Sequence, residues 1–252
     1  MALIFVDRSQ AKRHLQGARS AAVGIQTTCA LIELSLIVAQ GYGLTTSLAP
    51  VLFPLSVGID LFLLTPLKVG RALYFETRVT EPQAARFSQL FHFYRTGYRR
   101  CIAWRFSVWC IRFGLTVLFC VPCAILLLVT RMAAQSGAPT VAVVSFLLSL
   151  CLLVLALLLT EVLLFRYIPS VYLLIHVRSA RSAMRLSRRI TKRTSGLWAQ
   201  LFLNYAGYCF TFPLVFPFFY VSALFQTARA ALTRQLILQN TAEIREHLLQ
   251  PR

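Results

Sequence analysis

A chain of 252 residues that is 58% hydrophobic and only 13% charged does not have the composition of a soluble domain. Its net charge of +18 would suggest nucleic acid on a soluble protein, but here the basic residues lie between long apolar runs. No zinc-finger spacing, RNA-recognition signature or basic-plus-heptad pattern accompanies them, so a nucleic-acid partner is not expected. The expected fold is all-α: a polytopic transmembrane helical bundle forming a single integral membrane domain over residues 1–252.

Residues 7–19, DRSQAKRHLQGAR, form a basic lead-in to a first span over about 20–40. The run after it is long and lacks a small-residue cleavage site, which predicts a retained span rather than a removed signal peptide. The uncharged GYGLTTS precedes a second span over about 48–67, which ends at Pro66 and Lys68. A basic segment, 68–105, leads to a third span over about 106–129. The loop RMAAQSGAPT separates this from a fourth span over about 141–165, and a second basic segment, 166–196, follows.

Residues 197–228 are harder to divide. As one helix they would measure about 48 Å, too long for a single upright span of ~30 Å and too short for two full ones. Pro213 and Pro217 favour a break, giving two short spans over about 197–213 and 215–232, about six in all. Of the 26 Lys and Arg residues, 24 fall in the lead-in, the two basic segments and the tail. Positive charge is retained in the cytoplasm, so the N-terminus, both basic segments and the C-terminus are expected there.

Ionisable residues within spans need partners, because a lone charge in hydrocarbon is costly. Asp60, Glu33 and Arg112 are the candidates for an intramembrane charge set, with Asp60 and Arg112 paired across spans two and three and Glu33 as the rival acid. Glu161 is expected to meet Arg166 near the surface. The same three residues would serve a small transporter or channel subunit if they lined a water-filled path.

Thr80-Glu81-Pro82-Gln83 reads as a helix start with a capping-box pattern. Downstream, Phe87, Leu90, Phe91, Tyr94 and Tyr98 would share one helical face, suited to lie on the bilayer as an interfacial helix. Cys120-Val121-Pro122-Cys123 copies a redox-active spacing, but it sits in an apolar run where a thiolate is disfavoured. A proline kink flanked by two packing cysteines is the expected reading. The seven cysteines, odd in number and mostly within apolar runs, do not suggest a disulfide framework. His14, His92, His176 and His247 lack metal-ligand spacing, and there is no nucleophile elbow or phosphate loop. No catalytic residue, metal or cofactor is therefore expected.

The stretch RSARSAMRLSRRITKRTSG, residues 178–196, holds seven basic side chains and no acid. On a helix, Arg178, Arg181, Arg185, Arg188, Arg189, Lys192 and Arg193 fall within an arc of about 140°. Ala180, Ala183, Leu186 and Ile190 lie on the far side. Such a face could be a solvated topology determinant, could touch anionic phospholipid headgroups, or could recruit an acidic membrane-protein partner.

Several motifs, taken in order, resemble a family of bacterial integral membrane proteins of unknown function. They are Leu15-Gln16-Gly17 in the lead-in, TPLKVGRALYFE at 65–76 with its Pro-Leu-x-Val-Gly pattern, and LFHFYRTGY at 90–98. VPCAI in span three stands where the family carries Ile-Pro-Gly-Ile, losing the glycine. Ala183, Ser187 and Gly196 fit the second basic segment loosely, and Asn204-Tyr205-Ala206-Gly207-Tyr208 is a degraded match further on. The resemblance implies an even number of spans, a cytoplasmic C-terminus and a bacterial plasma membrane; it implies no activity.

Overall fold

The computed structural model describes residues 8–44, 49–206 and 215–240, and among these the chain is helical with no strand. Helices α1 (Arg8–His14) and α2 (Arg19–Leu44) are followed by α3 (Ala49–Ile59), a π-helical turn (Asp60–Leu64) and α4 (Thr65–Thr80). A 3₁₀ turn (Phe87–Phe91) and the single-turn α5 (His92–Arg95) lead to α6 (Tyr98–Gln135) and α7 (Pro139–Leu164). Then come α8 (Ser170–His176), α9 (Ala180–Ala206) and α10 (Val215–Gln239).

Four helical stretches are long and apolar enough to cross a membrane among the described residues: Arg19–Ala39, Pro50–Thr80, Tyr98–Gln135 and Pro139–His176. They coincide with the first four expected spans. The expected break at Pro213, the Gly207-Tyr208 part of the resemblance and the tail from 241 onward lie outside the described residues.

The chain divides into two units, Met1–Arg105 with Pro169–Arg252, and Phe106–Ile168. In the smaller unit, α7 buries a seam of small side chains, Ser145, Ser149, Ala156 and Thr160, while Leu147, Leu148, Leu155 and Leu158 face outward. Small residues let two helices approach closely, and their hydroxyls supply interhelical bonds. Thr130 Oγ1 and Ser145 Oγ lie 2.9 Å apart, and Ser149 Oγ donates to the Cys123 carbonyl at 3.2 Å. Pro122 sits inside α6 and Cys123 is buried beside this seam, with both motif cysteines free thiols.

In the larger unit, α10 is buried on most of its surface by α1, α2, α4, α8 and α9. Its alanines and threonines (Ala223, Thr227, Ala228, Ala230, Ala231 and Thr233) make this close surround possible. Arg78 of α4 closes off the end of α1. Its Nε donates to the His14 carbonyl at 3.1 Å, its Nη2 to Gln16 at 2.8 Å, and its Nη1 to Pro82. A helix end leaves carbonyls without intrahelical donors, and one buried guanidinium answers that of His14 and the Gln16 carbonyl in the turn that follows. Burial, with the Arg78 charge adding to it, pushes the His14 imidazole below its ordinary pKa.

The π turn at Asp60–Leu64 has a visible cause. Pro66 has no N–H for the Phe62 carbonyl, and its ring crowds that carbonyl. The ladder widens, so that the Thr65 N–H reaches back five residues to the Asp60 carbonyl. Two tyrosines then occupy the opened positions: Tyr98 Oη donates to the Phe62 carbonyl at 3.0 Å, and Tyr94 Oη donates to that of Leu63.

The segment after α4 departs from the expected interfacial helix. Thr80 ends α4 instead of starting a new helix, and Glu81 adopts φ −136°, ψ 82°, the extended backbone a following proline favours. Phe87–Phe91 is a 3₁₀ turn rather than part of a long helix, so the five aromatic and apolar positions do not share one face. Leu90 and Phe93 are buried, Phe87 and Phe91 are exposed, and Tyr94 and Tyr98 serve the π turn. The segment folds back onto α4 at Gly70, where the Leu90 carbonyl comes so close that a Cβ would lie 2.1 Å from its oxygen.

Candidate functional site

Helix α9 has two arms, divided at Thr194, whose φ −128° and ψ 22° are not helical. Thr194 Oγ1 donates to the Ile190 carbonyl at 2.8 Å beside the bend. The second arm enters the apolar interior through Trp198, Leu201 and Tyr205. Phe225 of α10 meets Phe202 and Tyr205 at ring-centroid distances of 5.1 and 5.3 Å.

The first arm carries the basic residues. Arg181, Arg185, Arg188, Arg189, Lys192 and Arg193 are exposed, whereas Ala180, Ala183, Leu186 and Ile190 are buried, with Ser187 and Thr191 between them. The division follows from the 3.6-residue repeat: every basic position falls on one stripe and every aliphatic position on the other. Arg178 is also exposed, but it lies in the bend between α8 and α9 and not on the helix, a correction to the seven-residue arc. Helix α8 and the bend that leads into the arm are tied to α4 and α6. Arg100 Nη1 donates to the Val177 carbonyl at 2.9 Å, and Trp104 Nε1 donates to Ser170 Oγ at 2.8 Å. His176 Nε2 pairs with the Glu76 carboxylate of α4.

The charges within the spans are paired, but not as expected. Asp60 binds Lys68 Nζ through Oδ1 at 2.8 Å and Arg105 through Oδ2, with Nη2 at 2.9 Å and Nε at 3.2 Å. Arg112 pairs with Glu161 in the smaller unit, and Glu33 pairs with Arg71 at 3.4 Å. The Asp60–Arg112 pair and the Glu161–Arg166 pair are therefore both replaced. Arg105 and Arg112 share a helical face but stand seven residues, about 10.5 Å, apart along α6. Asp60 takes the arginine nearer the start of that helix, which leaves the farther one to Glu161.

Lys68 lies eight residues beyond Asp60 on the same continuous helical segment, with the π turn between them. An extra residue in a turn rotates everything that follows, and a regular-helix reading cannot anticipate the resulting contact. The Asp60 side chain is 11% exposed, against 21% for Lys68 and 22% for Arg105, so this is a largely desolvated set with two cations on one acid. Sequence reasoning also missed Glu76–His176, whose partners are 100 residues apart, and the role of Arg78.

Among the described residues no three His, Cys, Asp or Glu side chains come together as metal ligands. No family model, no curated protein and no solved structure matches the chain.

Proposed function

We propose that this chain is a non-enzymatic integral membrane protein that organises anionic lipid, or a protein partner, through its basic cytoplasmic loops. In this reading it crosses a bacterial plasma membrane about six times, the second arm of α9 and helix α10 contributing the last two spans. Both termini and both basic segments lie in the cytoplasm. The carrying observation is the α9 arm, with six exposed basic side chains over a buried aliphatic stripe. A helix anchored by its apolar side and basic on its exposed side is suited to an anionic surface, where each Lys or Arg contributes about 1 kcal/mol. Such a surface is present along every cytoplasmic leaflet, which favours lipid over an acidic protein as the contact.

A small transporter or channel subunit using Asp60, Glu33 and Arg112 is the alternative. It calls for an ionisable group open to a path, whereas both oxygens of Asp60 are taken by Lys68 and Arg105. That saturation favours a role for the charges in holding helices together.

A peptide of residues 176–196 tests the proposal. It should gain helix on vesicles containing anionic phospholipid and bind them at least ~100-fold more tightly than neutral vesicles at low salt. The difference should shrink as salt rises toward a Debye length of ~3 Å near 1 M. Equal binding to neutral vesicles would remove the electrostatic account.

A further inference from the structure

We propose that a cleft between the two basic segments is a specific site for a phosphate-bearing headgroup. The proposal rests on the membrane-surface reading above and gives it a defined ligand position. The cleft has a volume of about 510 Å³. Arg99 and Arg100 at the start of α6, Arg178 after α8, and His92 of α5 line it, and among the described residues no acidic one does.

Three features make this more than a basic patch. First, the cleft is concave, and three guanidiniums converge on it from two separate segments of the chain. Guanidinium groups match phosphate oxygens with paired N–H donors, so converging arginines are suited to this anion. Second, the backbone shapes it. Gly97 has φ +77°, and the Arg100 guanidinium lies over it, 3.3 Å from where a side chain would begin. Arg100 is fixed there by its bond to the Val177 carbonyl and by the Phe93 ring, 6.0 Å away, while its buried Nε has no hydrogen-bond partner. The first turn of α6 opens at the same place, and a helix start favours an anion. Third, the walls are mixed. Leu73 and Ile175 add apolar surface beside the arginines, which suits a headgroup with its glycerol attached better than a bare ion.

The position fits a lipid. Leu73 of the cleft lies in the last two turns of candidate span Pro50–Thr80, while span Tyr98–Gln135 begins and span Pro139–His176 ends within two residues of the lining. These are the ends from which the basic segments emerge, the level at which headgroups lie.

The test uses the full-length protein in nanodiscs of neutral phospholipid doped with phosphatidylglycerol, and native mass spectrometry counts the anionic lipid retained. Arg99→Gln with Arg178→Gln should lower retention by about tenfold or more. Lys12→Gln with Arg13→Gln removes the same charge from α1, outside both the cleft and the basic face of α9, and should leave retention within about twofold of the unaltered chain. Millimolar inorganic phosphate distinguishes the sources: lipid retained in its presence identifies a lipid headgroup, and lipid displaced by it identifies a site open to free phosphate.

Equal loss in the two double variants would overturn the site and leave a diffuse field. No retention by the unaltered chain would overturn it as well, while salt-sensitive binding by the 176–196 peptide would show the α9 reading still standing. Both double variants change exposed side chains, and an unchanged melting temperature in each confirms that the comparison is between folded proteins.

Discussion

Replacing Gly70 with alanine should prevent the larger unit from folding, or lower its stability by at least ~3 kcal/mol. A Cβ at residue 70 would stand 2.1 Å from the Leu90 carbonyl oxygen, 2.6 Å from its carbon and 2.9 Å from its Cα. Those atoms are backbone on both sides, so no rotamer change relieves the clash, and the cost sits at the upper end of overpacking. A domain is stable by only about 5–15 kcal/mol, so the loss is a large fraction. The damage should extend beyond the contact. If the 87–91 turn is pushed off α4, Tyr94 and Tyr98 no longer reach the carbonyls of Leu63 and Phe62. Gly58→Ala provides the control: nothing lies within 4 Å of the added atom, and alanine is the better helix former. Thermal unfolding of both variants in detergent measures the difference, and an unchanged melting temperature for Gly70→Ala would show that α4 and the turn do not meet this closely.

Asp60→Asn is expected to cost about 3–5 kcal/mol. The substitution preserves shape and removes the negative charge that pairs with Lys68 and Arg105. Taking away one member of a buried ion set leaves the others uncompensated, which is worse than never having built the set. Lys68→Met alone should cost less, because Arg105 still answers the carboxylate. The double variant Asp60→Asn, Lys68→Met should then be less damaged than the two single costs combined, with a coupling of about 0.5–3 kcal/mol. Arg112→Gln should add independently to Asp60→Asn, since its partner is Glu161. Additivity between Asp60 and Lys68, or coupling between Asp60 and Arg112, would contradict the pairing.

The apolar runs were readable because crossing hydrocarbon demands some 20 apolar residues in succession, a signal no single side chain can obscure. Helix α2 begins at Arg19, and α7 covers Pro139–Leu164, each close to the expected span. The basic face of α9 was readable for a related reason: the helix is regular up to Thr194, so counting 100° per residue places the side chains correctly. Lys68 was not legible as the partner of Asp60, because Pro66 forces a wider turn between them and shifts every later position.

Residues 80–98 were misread because a capping-box pattern is a local signal, whereas this segment is shaped by a distant contact with Gly70. The Pro-Leu-x-Val-Gly stretch at 66–70 stood out in the sequence, yet its two functions became visible only in three dimensions. Pro66 opens the helix, and Gly70 admits a second backbone. The cleft was not readable at all, since His92–Arg100 and Ile175–Arg178 are joined only by folding.

In the proposed arrangement the basic face of α9 lies on the cytoplasmic side of a membrane. Cysteine labelling in cells tests it most directly, with the native cysteines replaced and single cysteines introduced as Ser136→Cys, in the turn between α6 and α7, or Arg185→Cys, on the basic face. A membrane-impermeant thiol reagent should label residue 136 in intact cells and residue 185 only after the membrane is permeabilised. Labelling of residue 185 in intact cells would contradict the account.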